Sequence, residues 1–143
     1  MNMSEEFEPL KISVRADLSR QMWVQTFVGK NLEALNCSPK VRNQFRIAVD
    51  EIFSNIVLHS GLRKDDIVTV LMHTQEDPRS VSVTFIDDGI RFDPKSAVEP
   101  DLETSARNRQ IGGLGIYLLK RIMDEVSYEY KDGQNILTIR KNL

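Results

Sequence analysis

From Leu18 to Leu35 the apolar residues Leu18, Met22, Trp23, Phe27, Val28, Leu32 and Leu35 recur every three or four positions, whereas from Ile67 to Ile86 the period falls to two. One kind of element cannot serve both periods, so the change requires helices followed by strands. The first helix spans Leu18 to Leu35, with Asp17 or Ser19 available as its cap. Ser38-Pro39 supplies an N-cap and then a proline at the first helical position, opening a second helix that runs to about His59 and stops before Gly61. Ile67 to His73 and Val81 to Ile86 form an antiparallel pair around the turn residues Gln75-Glu76-Asp77-Pro78-Arg79. Upstream, Leu10, Ile12 and Val14 alternate with Lys11, Ser13 and Arg15 as a strand does. Downstream, Gly112-Gly113-Leu114-Gly115 opens a third helix, Ile116 to about Glu125. Strands Val126 to Tyr130 and Ile136 to Arg140 then flank Lys131 to Asn135, which holds the Asp-Gly hairpin signal. Asp87 to Gln110 has no sustained period and is longer than a simple connection, as lids and binding loops are. The order β-α-α-β-β-loop-α-β-β predicts an α+β fold: a two-layer sandwich with helices on one face of a mixed, mainly antiparallel sheet.

At 143 residues, 41% of them hydrophobic, residues 1–143 are expected to form one domain with a real core. Nineteen Lys and Arg against 21 Asp and Glu leave a net charge of −2, so no excess of positive charge favours nucleic acid or an anionic membrane as partner. The longest apolar run, Gly112 to Leu119, is far short of the ~20 residues of a membrane span, and the acidic start, Met1 to Glu8, lacks the layout of a signal peptide. A soluble, cytoplasmic protein is expected. A lone cysteine, Cys37, with His59 and His73, offers neither an internal disulfide nor a zinc set. Trp23, Phe27 and Phe53 are expected in the core.

Three constellations could carry chemistry. On the second helix Glu51 and Asn55 project from one face, framed by Ile47, Ala48, Ile52 and Leu58. A partly desolvated carboxylate can act as a general base, and an amide oxygen one turn on suits Mg²⁺. Taken alone, the pair has an ordinary alternative at the solvated margin of an amphipathic helix. Asp87-Asp88-Gly89 closes a strand: a carboxylate there can accept a hydrogen bond from an exocyclic amine, glycine admits a flat ring, and adenine satisfies both. An ordinary Asp-Gly turn is the alternative. Finally, the glycines Gly112, Gly113 and Gly115 expose N–H groups at the positive end of a helix, which suits a polyphosphate, although a hinge would use glycine too. Neither a P-loop nor a dinucleotide fingerprint is present.

Taken together and in order, these segments resemble the ATP-binding fold shared by gyrase B, the heat-shock ATPase chaperones and sensor histidine kinases, the Bergerat-type fold. They look most like its small stand-alone branch, the anti-sigma factor serine/threonine kinases. Val49 to His59 matches the N box, Asp87 to Pro94 the first glycine box, and Gly113 to Val126 the second; the likeness covers about Leu10 to Lys141. The resemblance implies ATP and Mg²⁺ as cofactors, Glu51 as the base that activates a hydroxyl, and Asn55 as the Mg²⁺ ligand. It implies Asp87 on the adenine amine with Gly89 beside the ring, and Gly112, Gly113, Leu114 and Gly115 around the phosphates. Thr138 matches a threonine near the adenine, and Arg107 and Arg109 are candidates for the terminal phosphates. Arg91 stands where the broader superfamily has a second glycine, a departure that weakens the gyrase-like reading more than the kinase one.

The function so implied is transfer of phosphate from Mg-ATP to a serine or threonine of an anti-sigma-factor antagonist, with capture of a sigma factor as the second arm of the switch and a homodimer as the working form. Direct contact with nucleic acid or membrane is not expected. The rival is an ATP-binding partner-switching module that holds its protein partner without phosphorylating it. His59 could support the metal shell, although a histidine at a helix C-terminus has an ordinary dipole explanation.

Overall fold

The structure, a computed structural model, describes residues 10–91 and 113–143. Five strands form one sheet: β1 (Leu10–Arg15), β2 (Ile67–Gln75), β3 (Ser80–Asp87), β4 (Glu125–Lys131) and β5 (Gln134–Asn142), in the order β1-β2-β3-β5-β4, every neighbouring pair antiparallel. Three helices, α1 (Gln21–Ala34), α2 (Pro39–His59) and α3 (Gly113–Ile122), accompany it. The two-layer α+β architecture expected from the order of periods is the one observed.

Local chemistry explains most boundaries. Asp17 accepts from the Ser19 N–H and starts a short 3₁₀ turn, Leu18–Arg20, that leads into α1. Ser38 Oγ accepts from the Val41 N–H at 3.2 Å with Pro39 in the first turn, as the sequence predicts for α2. Between β4 and β5 the turn is only Asp132-Gly133, both at positive φ (53° and 78°) and bracketed by the Lys131–Gln134 pair, so the expected five-residue loop tightens to a two-residue hairpin.

The third helix differs from expectation at both ends. It begins at Gly113 and ends at Ile122, so Glu125 belongs to β4. Its exit is diverted into the sheet: the Asp124 N–H donates to the Arg140 carbonyl at 3.0 Å, the Asn142 N–H donates to Asp124 Oδ2 at 2.6 Å, and Lys141 Nζ donates to the Ile122 carbonyl. These bonds tether the C-terminal end of α3 to the far end of β5.

The core lies between helices and sheet. Val14, Val68, Val70, Met72, Val81, Val83, Phe85, Leu137 and Ile139 from the strands meet Val24, Val28, Leu32, Phe45, Val49, Ile52, Phe53 and Ile56 from α1 and α2. The opposite face carries Ser13, Thr69, Ser82, Thr84, Thr138 and Arg140, with Ser13 hydrogen-bonded to Thr69 and Thr84 to Thr138. Phe53 is fully buried and Phe27 partly so, but Trp23 is 52% exposed, contrary to expectation. Both positions share the helical period; Trp23 falls on the outer flank of α1, where Arg20 stacks over its ring at 4.7 Å.

α2 occupies the middle of the helical layer, with α1 over the β1 side and α3 over the β4 side. Asp50 holds α1: its Oδ1 accepts from Gln21 Nε2 at 3.0 Å and from Gln25 Nε2 at 2.6 Å. Truncating Phe53 to Ala should cost about 3–5 kcal/mol in urea unfolding, whereas Leu58→Ala, on the same helix but exposed, should stay within about 0.5 kcal/mol.

Candidate functional site at the junction of α2, β3 and β5

One residue of rotation separates two carboxylates on α2. Asp50 faces α1 and is engaged there, which places Glu51, 100° further round, on the flank turned toward α3. Asn55 follows on the same flank, and its Nδ2 donates to Glu51 Oε1 at 3.0 Å. Both side chains are partly buried, framed by the buried Ala48 and Ile52, while Leu58 is exposed and takes no part. The bond commits the amide nitrogen of Asn55 to the carboxylate. Asn55 Oδ1 and Glu51 Oε2 are left without a hydrogen bond among the described residues.

Asp87 ends β3 on the helix-facing side of the sheet, 3% exposed. Its Oδ1 accepts from the Gly89 N–H at 2.9 Å and from Asn135 Nδ2 at 3.1 Å, and its Oδ2 carries no hydrogen bond among the described residues. Burial pushes its pKa up, the bonds from Asn135 and Gly89 pull it down, and the charge of Asp88 raises it again; burial is the largest of these.

A backbone latch joins the two halves. The Ile90 N–H donates to the Ser60 carbonyl at 2.9 Å, tying the end of α2 to the chain just past β3. Gly89 lies so close that a Cβ there would stand 2.5 Å from the Ser60 carbonyl oxygen and 2.6 Å from Ser60 Cβ. The glycine of the first box is therefore demanded by the approach of α2 itself, whatever ring may lie beside it. Asn55, five residues before the latch, sits roughly 7–8 Å back along the helix axis.

The structure thus brings Glu51 and Asn55 together, and joins their helix to Asp87 and Gly89. Thr138 is a correction. It pairs with Thr84 at 2.9 Å on the open face of the sheet, three residues from Asn135 and hence on the opposite side from Asp87. The polar residue at Asp87's side is Asn135, directly opposite it in register and 4% exposed, which the sequence reading passed over as part of a loop. Counting back in twos from the buried Leu137 would have found it. Gly113, Leu114 and Gly115 form the first turn of α3. Gly112, Arg107, Arg109 and most of the Asp87 to Gln110 loop lie outside the described residues. His59 is exposed at the end of α2, and Cys37 is a partly buried free thiol whose pKa is raised by burial.

The donor set fits a nucleotide with a hard cation. An open carboxylate oxygen in a buried setting matches an amine, and an open amide oxygen beside a carboxylate matches Mg²⁺. No group of three or more His, Cys, Asp or Glu side chains converges among the described residues, so a cation held here would draw most of its ligands from phosphate and water. No described helix is long and apolar enough to cross a membrane.

Comparison with known proteins agrees with this geometry. A family model described as the histidine kinase-like ATPase domain matches residues 14–141. The chain is 28% identical over 139 residues to the serine/threonine-protein kinase BtrW of Bordetella bronchiseptica, covering 96% of this chain and 94% of that one. It is 34% identical over 97 residues to the serine-protein kinase RsbW of Listeria innocua, covering 64% and 60% of the two chains. Among solved structures, one from a SiaB-SiaC complex of Pseudomonas aeruginosa superposes with a TM-score of 0.63 at 15% identity, covering 100% of this chain and 99% of that one, a likeness of fold.

Because folding raises the pKa of Asp87, the native state binds a proton more readily than the unfolded chain, and the ligand-free protein loses stability as pH climbs through the carboxylate range. Asp87→Asn keeps the acceptor for Asn135 without the charge. In urea titrations at neutral pH it should unfold at a higher midpoint than wild type, and the gap should close as the pH is lowered toward about 4.

Proposed function

The chain belongs to the histidine kinase-like ATPase domain family, and on that premise we propose that it is an ATP-dependent serine/threonine protein kinase acting on a small protein partner. Family membership, with relatives named as serine and serine/threonine kinases, bears out the resemblance carried by the three boxes. The observation that carries the proposal is the Asn55 to Glu51 hydrogen bond, which leaves one oxygen of each side chain open on the flank facing α3.

Bound Mg-ATP supplies the transferable γ-phosphoryl group and the neutralisation of its charge. Asp87 Oδ2 accepts from the adenine amine, and Gly89 keeps that edge of the pocket free of side chain. Asn55 Oδ1 holds the cation. Glu51 takes the proton from the partner's serine or threonine hydroxyl, whose oxygen becomes the phosphoester oxygen as ADP leaves. The first-turn N–H groups of Gly113, Leu114 and Gly115 face phosphate, where a helix N-terminus favours an anion. Gly112 and Arg107 are assigned to the phosphates from their place in the sequence just before the second box.

The proposed partner is an anti-sigma-factor antagonist in the cytoplasm, with sigma-factor capture as the opposing arm. The homodimer is proposed on the β1 and α1 face. There an edge strand, whose outer side meets no strand among the described residues, adjoins a groove of about 700 Å³ whose lining includes Leu10, Ile12, Met22, Trp23, Phe27 and Lys30. Leu10, Met22 and Trp23 are all more than half exposed, so this face carries both a groove and apolar knobs, as a two-fold contact requires.

Two measurements test these readings. Labelled γ-phosphate should pass to the partner protein co-purified from the native host. Glu51→Gln should slow that transfer by about 100-fold or more while calorimetry still detects Mg-ATP; Asp87→Asn should lose Mg-ATP. Transfer intact in Glu51→Gln would remove the assigned base, and Mg-ATP binding without any transfer in wild type would leave a module that only holds its partner. In sedimentation, wild type should run as a dimer and Trp23→Glu as a monomer; a monomeric wild type would sink the interface.

A further inference from the structure

The β4–β5 hairpin grips the short arm that follows β3. Gln134 Nε2 donates to Asp88 Oδ1 at 3.0 Å, and the Arg91 guanidinium lies 5.7 Å over the Tyr130 ring. Between them Asn135 Nδ2 lies 3.1 Å from Asp87 Oδ1, 2.9 Å from the Ile90 carbonyl and 3.3 Å from the Gly89 carbonyl. All three neighbours are acceptors, so only the amino side of this amide can face them. On its other side, Asn135 Oδ1 accepts from the Tyr128 hydroxyl. The two amide hydrogens are consumed by these acceptors, and Asn135 has none to offer a bound molecule. Whatever it does for a ligand it does through Asp87.

We propose that Asn135, oriented by Tyr128, is the positioning residue that sets nucleobase selectivity: it pins Asp87 Oδ1 so that Oδ2 is presented as a fixed acceptor to a 6-amino purine. The inference rests on the nucleotide-binding reading of the site and deepens it. A carboxylate held as an acceptor rewards an amine and repels a 6-oxo group. Released from Asn135, the carboxyl can rotate, and its burial then favours the neutral acid, which can donate to a 6-oxo group instead. The Asn135 bonds to the Gly89 and Ile90 carbonyls hold the adjoining backbone in place, so the acceptor and the strip beside it move as one.

The test is calorimetric titration of the full chain with Mg-ATP and, separately, Mg-inosine triphosphate, which differs at the 6-position. Wild type should prefer ATP by about tenfold or more, as a charge-assisted hydrogen bond implies. Asn135→Leu should lose most of that preference, with ATP weakened by about tenfold and the inosine nucleotide changed by no more than about threefold. Tyr128→Phe, which removes one hydroxyl and leaves the ring in place, should move the ratio the same way by a smaller step. Equal weakening of both nucleotides in Asn135→Leu would reduce Asn135 to a packing role, and an unchanged ratio in either variant would overturn the proposal. If circular dichroism shows Asn135→Leu unfolded, Tyr128→Phe decides. A wild type that binds neither nucleotide would instead overturn the nucleotide-binding reading, a failure distinct from a wild type whose preference survives both substitutions.

Discussion

The contact between Ser60 and the Gly89-Ile90 backbone holds this molecule's candidate chemistry in one place. One hydrogen bond at 2.9 Å closes it, and an absent side chain permits it. α2 brings Glu51 and Asn55; β3 brings Asp87; nothing in the periodicity of either element fixes the distance between them. The latch does. It ties the last turn of α2 to the residues immediately beyond Asp87, so the carboxylate-amide pair and the buried aspartate share one rigid junction. Hydrogen bonds of this kind contribute about 1 kcal/mol net, so the junction's rigidity comes chiefly from the fully buried Ile52, Phe53 and Phe85 that hold helix and strand in place beneath it.

Adjacent acids on α2 divide the labour that such a junction requires. Asp50 accepts from both Gln21 and Gln25 on one oxygen and ties α1 to α2, while its neighbour on the helix faces the other way. The 100° step between consecutive helical residues is enough to make one carboxylate structural and to turn the next toward the candidate site. Because Asn55 turns its amide nitrogen to Glu51, its own oxygen and the second carboxylate oxygen remain open, an arrangement that suits a cation and a proton acceptor side by side.

Much of this was legible in the residues because the signals were local. Ser38-Pro39 start a helix by satisfying its first N–H groups and by a fixed φ, and Asp132-Gly133 turn a hairpin because glycine and aspartate tolerate positive φ. The change of period separated helices from strands without any tertiary information. What stayed hidden depends on partners distant in sequence. Whether Trp23 or Phe53 enters the core is set by where α1 and α2 meet, and the end of α3 by its bonds to β5. Thr138 looked right by position along the strand, but a side-chain period of two puts it on the face that the helices do not cover. Asn135 was obscured for the complementary reason: the Asp-Gly signal drew its neighbours into an imagined loop, while the strand in fact begins at Gln134.

Asp87 shows why these hidden partners matter to function. A carboxylate buried to 3% exposure destabilises the free protein unless hydrogen bonds offset its lost hydration, and here both bonds fall on one oxygen. Structural economy would complete the set or replace the acid with an amide. A half-satisfied acid instead leaves free energy to be recovered when a donor arrives, which on the proposed reading becomes affinity and selectivity for a nucleobase. The same reasoning places Asn135 and Tyr128 in the functional architecture even though neither has a hydrogen to give a ligand. On the proposed reading they decide which of the two oxygens is spent within the fold and which is kept for a nucleobase.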